Sequence, residues 1–299
     1  MASFAELQGR FITTEFAALG FPQSGWQVLQ PASLLRSGDD ESLWSYFNTI
    51  PADLPIFASS GGDTFFAAYS ALIDSLIAGT GQLDPIAAAK DRLEDWGQKP
   101  PAWSVGYARL MKQLAAATSV KFPFSSKAES NTGFWGLWGG SDSISGPSAQ
   151  FAAGDVSGQF EFKHVLQLSP TPSTWYVSSA LSIAHSTTSG DPWNPKSTIN
   201  WKSTFGPQGN MQRFVAGLLV VSGMSVEYTS SAAFSKVDQQ SIQANQAKGM
   251  WPYYLSGSAI STHIHFNSAN RMTVQISSDQ NVPIVLAASV VSAAQFLGA

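Results

Sequence analysis

The spacing of apolar residues changes character partway along the chain. In the first third it follows the helix: Phe4, Leu7, Phe11, Phe16 and Leu19 recur at helical intervals before Gly20, and Ser3 with Glu6 forms a capping-box pattern. FPQSGWQVLQP then reads as a connector. Acids at Asp39, Asp40 and Glu41 suit a helix N-terminus ahead of Leu43, Trp44, Phe47 and Ile50. A wide stripe from Phe65 to Ile77 follows Asp63 and ends at Gly79. Asp84-Pro85 pairs an N-cap with a first-turn proline, and Lys99-Pro100-Pro101 separates that helix from another over 103–118.

Residues 123–154 show no sustained period and are dense in Gly, Ser and Trp, which predicts a connector between an N-terminal helical unit, 1–122, and a β-rich unit, 155–299. Beyond it the period becomes two. Phe160, Phe162, His164, Leu166 and Leu168 share one face against Gln159, Glu161, Lys163 and Gln167. Trp175, Val177, Leu181, Ile183 and His185 alternate in the same way. RFVAGLLVV is apolar on both faces, as a central strand is, and Met224, Val226 and Tyr228 alternate inward. Residues 232–250 are polar and read as a long loop, and Met250 to Tyr254 as the opening of a strand. ISTHIHF, RMTVQIS and VPIVLAASVV complete six or seven strands. The fold class expected is α+β, a helical unit followed by an antiparallel β-sandwich-like or strongly twisted sheet.

Composition narrows the function. Charged residues make up 12% of the 299, about half the usual share, while 44% are hydrophobic. Ser, Thr, Gly, Asn and Gln fill the polar positions, and such a surface loses less on desolvation than an ionic one. It suits self-association or a neutral polar ligand such as carbohydrate; lineage bias in composition is the alternative. The net charge of −4 has no basic cluster that would track a phosphate backbone, which argues against nucleic acid. The chain has no cysteine, hence no disulfide or thiolate chemistry. Glu6 and Glu15 interrupt the opening residues where a signal peptide needs an apolar run, so cytoplasmic synthesis is the expectation, with non-classical release compatible with it. Residues 281–299 carry no charge, but Pro283, Ser289, Ser292 and Gln295 fit a buried strand with an apolar tail better than a membrane anchor.

Phosphate-loop, dinucleotide-binding, zincin and α/β-hydrolase signatures are missing from the chain, which leaves open whether it is an enzyme. All four histidines fall in 155–299. His263 and His265 flank Ile264, so on a strand they share a face, a spacing that suits two ligands of a divalent transition metal. Parity sets them opposite the core, whereas His164 and His185 share faces with apolar residues; exposed and core-edge histidines are the alternative. A metal-dependent enzyme using the pair needs a third ligand from another strand.

Three tryptophans are candidate binding residues. Trp193 lies between Pro192 and Pro195, either presented to a ligand or folded back as a loop anchor. Trp135 and Trp138 alternate with glycine in GFWGLWGG, either as an adhesive patch or as a tightly crossing buried segment. The acids Asp91, Glu94 and Asp95 read as a solvated helix face. The leading expectation is a non-catalytic binding or self-assembling protein. A metal-dependent enzyme stands second, and a membrane-active toxin inserting GFWGLWGG or the uncharged C-terminus third.

Overall fold

A computed structural model describes residues 4–81, 83–126, 135–142 and 146–298. The fold is α+β, with helices and a seven-stranded antiparallel sheet. The helices are α1 (Phe4–Leu19), α2 (Asp40–Phe47), α3 (Phe65–Ser75), α4 (Pro85–Trp96), α5 (Tyr107–Ala115), α6 (Gly146–Ala153), α7 (Ser178–Ser186), α8 (Trp201–Thr204), α9 (Lys236–Asn245) and α10 (Ala293–Leu297). The strands are β1 (Trp26–Leu34), β2 (Val120–Ser126), β3 (Val156–Leu168), β4 (Arg213–Ala233), β5 (Ile260–Phe266), β6 (Arg271–Ser278) and β7 (Ile284–Ser292). Strand order is β1-β7-β4-β3-β2, with β6 also pairing β4, and β5 pairing β6.

Contacts divide the chain into two compact units, each built from three stretches: 1–37, 111–167 and 219–287 in the first, and 38–110, 168–218 and 288–299 in the second. The first holds most of the sheet. Its core gathers Phe11 and Phe16 of α1, Phe122 and Phe124 of β2, Phe160 and Phe162 of β3, Tyr228 of β4 and Trp251. Phe122 stacks on Phe160 at 5.3 Å across the β2–β3 pair, and Phe11 meets Phe160 at 4.8 Å. In the second unit the fully buried Trp175 touches Phe66, Tyr69 and Trp103 edge-on, and its Nε1 donates to the Ala102 carbonyl at 2.9 Å.

Several helices begin at a side-chain cap, though α7 begins after Val177 without one. Asp39 accepts from Ser42 N ahead of α2, and Asp84 from Ala87 N ahead of α4, with Pro85 in the first turn. Ser3 and its capping pattern lie outside the described residues. The uncharged C-terminal stretch is β7, buried from Ile284 to Ala288, followed by α10. No helix among the described residues is long and apolar enough to cross a membrane.

Several elements differ from the sequence expectation. Residues 178–186 form a helix, not a strand, and its buried residues, Ala180, Leu181 and Ala184, have helical spacing. Residues 26–34 form β1, not a connector; its buried positions include Gln27, which breaks the apolar alternation. Residues 236–245 form α9, not a loop: Ser235 caps it by accepting from Asp238 N, but only Gln239 and Ile242 are buried, too few to write an apolar stripe. The connector contains the end of β2, whose alternation Phe122, Phe124, Ser126 is interrupted by Pro123, and all of α6. Met250 bridges Trp138, but residues 251–254 turn and do not enter a strand.

Candidate functional site: a polar sheet face and a histidine pair

The outward positions of β4, β5 and β6 line up in rows fixed by the antiparallel register. Ser261, Ser277 and Ser225 form one row, His263, Gln275 and Glu227 the next, and His265, Thr273 and Thr229 the third. The third row continues through Ser157 of β3, whose Oγ lies 3.4 Å from Thr229 Oγ1, to Ser125 of β2. Alternate residues of the same strands, such as Met272, Val274 and Ile276, are buried in the core. Pleating therefore separates a wet hydroxyl and amide face from a dry aromatic one.

Five charged residues also stand at outward positions of these strands: Lys121 of β2, Glu161 and Lys163 of β3, Glu227 of β4 and Arg271 of β6. Gln275 Nε2 donates to Glu227 Oε2 at 2.6 Å, and Lys121 pairs with Glu161 at 3.4 Å across β2 and β3. Both hydrogen-bonding edges of the main strand order carry a proline, Pro31 in β1 and Pro123 in β2, which removes a ladder donor from each.

His263 and His265 are both exposed on β5, and Ile260, Ile264 and Phe266 pack toward the core. Ser261 Oγ lies 3.1 Å from His263 Nε2. The other two histidines stand elsewhere. His164, half-buried on β3, donates from Nδ1 to the Ala117 carbonyl at 3.1 Å. His185 lies in the last turn of α7 with its ring edge-on to Phe205 at 5.0 Å. Among the described residues no group of three or more His, Cys, Asp or Glu side chains is placed to hold a metal ion.

The tryptophans are placed as follows. Trp193 is 7% exposed; its Nε1 donates to the Thr187 carbonyl at 2.5 Å, and its backbone bridges Leu76. Trp135 is half-buried and edge-on to Tyr254 at 5.4 Å; Trp138 is half-buried against the same core. Gly133 and Phe134 lie outside the described residues. Gly136 is glycine for a steric reason: a Cβ there would come within 2.2 Å of Ser148 Oγ and 2.5 Å of the Asp142 carbonyl.

Polar groups that the apolar pattern of the sequence does not single out are buried beneath this face. Trp251 Nε1 donates to Gln8 Oε1, Tyr253 OH to Glu15 Oε1 at 2.6 Å, and Tyr254 OH to the Gly136 carbonyl at 2.8 Å. The turn at 251–254 thus ties α1 to the loop at 135–142. Burial pushes the Glu15 carboxyl up to about 7, against the opposing pull of the Tyr253 hydrogen bond. The signal was present: Gln8 and Glu15 lie within the apolar stripe of α1, between Leu7 and Phe16.

In the second unit, an open groove of about 450 Å³ between α3 and α4 is lined by Phe66, Asp74, Lys90, Glu94 and Lys99. Lys90 Nζ donates to the Asp74 carbonyl at 3.1 Å, and Lys99 lies over the Trp96 ring at 5.8 Å. Asp91, Glu94 and Asp95 are exposed on α4. No protein-family model matches this chain, and neither the curated proteins nor the solved structures include a significant match to it.

Proposed function

We propose that the chain is a non-catalytic interaction protein that uses the polar outer face of its sheet to associate with copies of itself or, failing that, with a neutral polar ligand such as carbohydrate. The observation that carries this reading is the set of aligned rows from Ser261, His263 and His265 across to Thr229 and Ser157. A hydroxyl or amide left unpaired on contact costs about 1–3 kcal/mol, and a buried ion several. The hydroxyl and amide groups in these rows can exchange water for partner hydrogen bonds without stripping hydration from ions, and the charges between them, Glu227 and the Lys121–Glu161 pair, already have protein partners on the face. The prolines of β1 and β2 disfavour edge-to-edge pairing at those two strands, while β5, which pairs only with β6, keeps an edge without proline. Trp135 and Trp138, each half-buried, are the aromatic anchors at the margin of this reading. Trp193 serves its own loop in this state.

Light scattering over a concentration series tests the proposal. A mass that rises with concentration is expected for the wild type, and Thr273→Lys with Ser277→Lys should hold the chain monomeric by placing like charges on facing copies. Asp91→Lys on the exposed face of α4 should change nothing. A wild type that stays monomeric throughout and binds no glycan on an array would remove the reading.

A further inference from the structure

We infer that His263 and His265 form an open two-imidazole site for a divalent transition-metal ion, with Cu(II) the preferred occupant. On a strand, side chains two residues apart stand on one face with Cβ atoms about 6.5–7 Å apart. That separation lets two imidazoles turn their nitrogens onto one ion at about 2.0 Å each. The strand beneath is fixed at these positions: His263 pairs with Gln275 and His265 with Thr273 on β6, and Ile264 between them packs against the core. Both rings are exposed, so an ion can enter and water can fill its remaining positions.

The neighbours are compatible with a cation. Gln275 and Thr273, directly opposite the pair, are neutral. The Gln275 amide nitrogen is committed to Glu227, which leaves its carbonyl oxygen as the uncommitted end of that amide. Glu227 adds a negative charge in the His263 row, while the exposed Arg271 stands at the start of β6. His263 Nε2 lies 3.1 Å from the Ser261 hydroxyl, a single exposed contact that water can replace when the ring turns toward His265. Two imidazoles with waters suit the tetragonal preference of Cu(II), the tightest binder of the first-row divalent series. With no third His, Cys, Asp or Glu converging among the described residues, the ion exchanges with solvent and is not caged. The site depends on β5 and β6 alone and goes beyond the contact reading of the face.

The experiment is calorimetric titration of Cu(II) into the full chain, with electron paramagnetic resonance on the loaded protein and Mg(II) as the negative control. One Cu(II) per chain with coupling to two imidazole nitrogens is expected. His263→Ala and His265→Ala should each weaken binding by about tenfold or more, since either leaves a single ligand. His164→Ala and His185→Ala should leave it unchanged. Uptake no greater than that of the His263→Ala/His265→Ala double variant, or single variants as tight as the wild type, would overturn the assignment. Circular dichroism confirms that the variants fold, and none of these outcomes bears on whether copies of the chain associate.

Discussion

Glu15 is 3% exposed, and its Oε1 accepts the Tyr253 hydroxyl; among the described residues, burial and this hydrogen bond are what act on its carboxyl. Lys121 of β2 is exposed and paired with Glu161, and α6 carries no titratable group. An ionised carboxylate there would be solvated by one phenol, so the native state holds the proton until about pH 7, whereas the unfolded chain releases it near 4.5. The folded form therefore binds more protons between those values. Stability is full below about pH 4.5, falls as pH rises through about 7, and then levels, a loss on the order of 3 kcal/mol. Glu15→Gln keeps an acceptor for Tyr253 and has no proton to lose. Urea unfolding at pH 5 and pH 8 should give the variant nearly equal midpoints for this contribution and make it the more stable chain at pH 8. A wild type with the same stability at both values would mean that the carboxyl is already hydrated.

Within single elements, glycine substitutions separate space from backbone freedom. Gly9 lies inside α1 and nothing stands within 4 Å of where its Cβ would be. Gly9→Ala should raise stability by about 0.5–1 kcal/mol through helix propensity and a less free unfolded chain. Gly136→Ala meets Ser148 Oγ and the backbone of Asp142 and should cost about 1–3 kcal/mol by overpacking. Paired urea melts read both signs. The same local view explains what the sequence disclosed. Strong periodicity over Phe65–Ile77, the Asp84-Pro85 start and the alternation around Met224, Val226 and Tyr228 each marked a real element, because there the buried face is apolar throughout. The parity that set His263 and His265 outward held for the same reason. In α7, Val177, Leu181 and Ile183 satisfy a strand period as well as a helical one, and tertiary burial of Ala180 and Ala184 decides for the helix. β1 and α9 escaped because their buried faces carry Gln27 and Gln239. The outer rows were invisible for another reason: registration between strands far apart in sequence leaves no mark on any one of them.

At the scale of the whole chain, the change of residue pattern near 122–154 and the grouping of contacts are separate properties. The first compact unit needs residues from 1–37 and 111–167 as well as 219–287. A chain starting at residue 155 keeps β3 to β7 but lacks the groups that close the inner face. Phe160 loses Phe11 and its stacked partner Phe122; Trp251 loses Gln8; Tyr253 loses Glu15. Each large aromatic uncovered in this way forfeits about 1.5–3 kcal/mol of burial, and a domain holds only about 5–15 kcal/mol in total. Residues 155–299 expressed alone should therefore give a poorly dispersed amide spectrum and no cooperative melt, while the full chain unfolds cooperatively. A well-dispersed fragment with a sharp transition would show that the strands from β3 onward suffice, that α1 and β2 are accessories to a self-standing sheet, and that the buried Glu15 contact governs only how α1 docks.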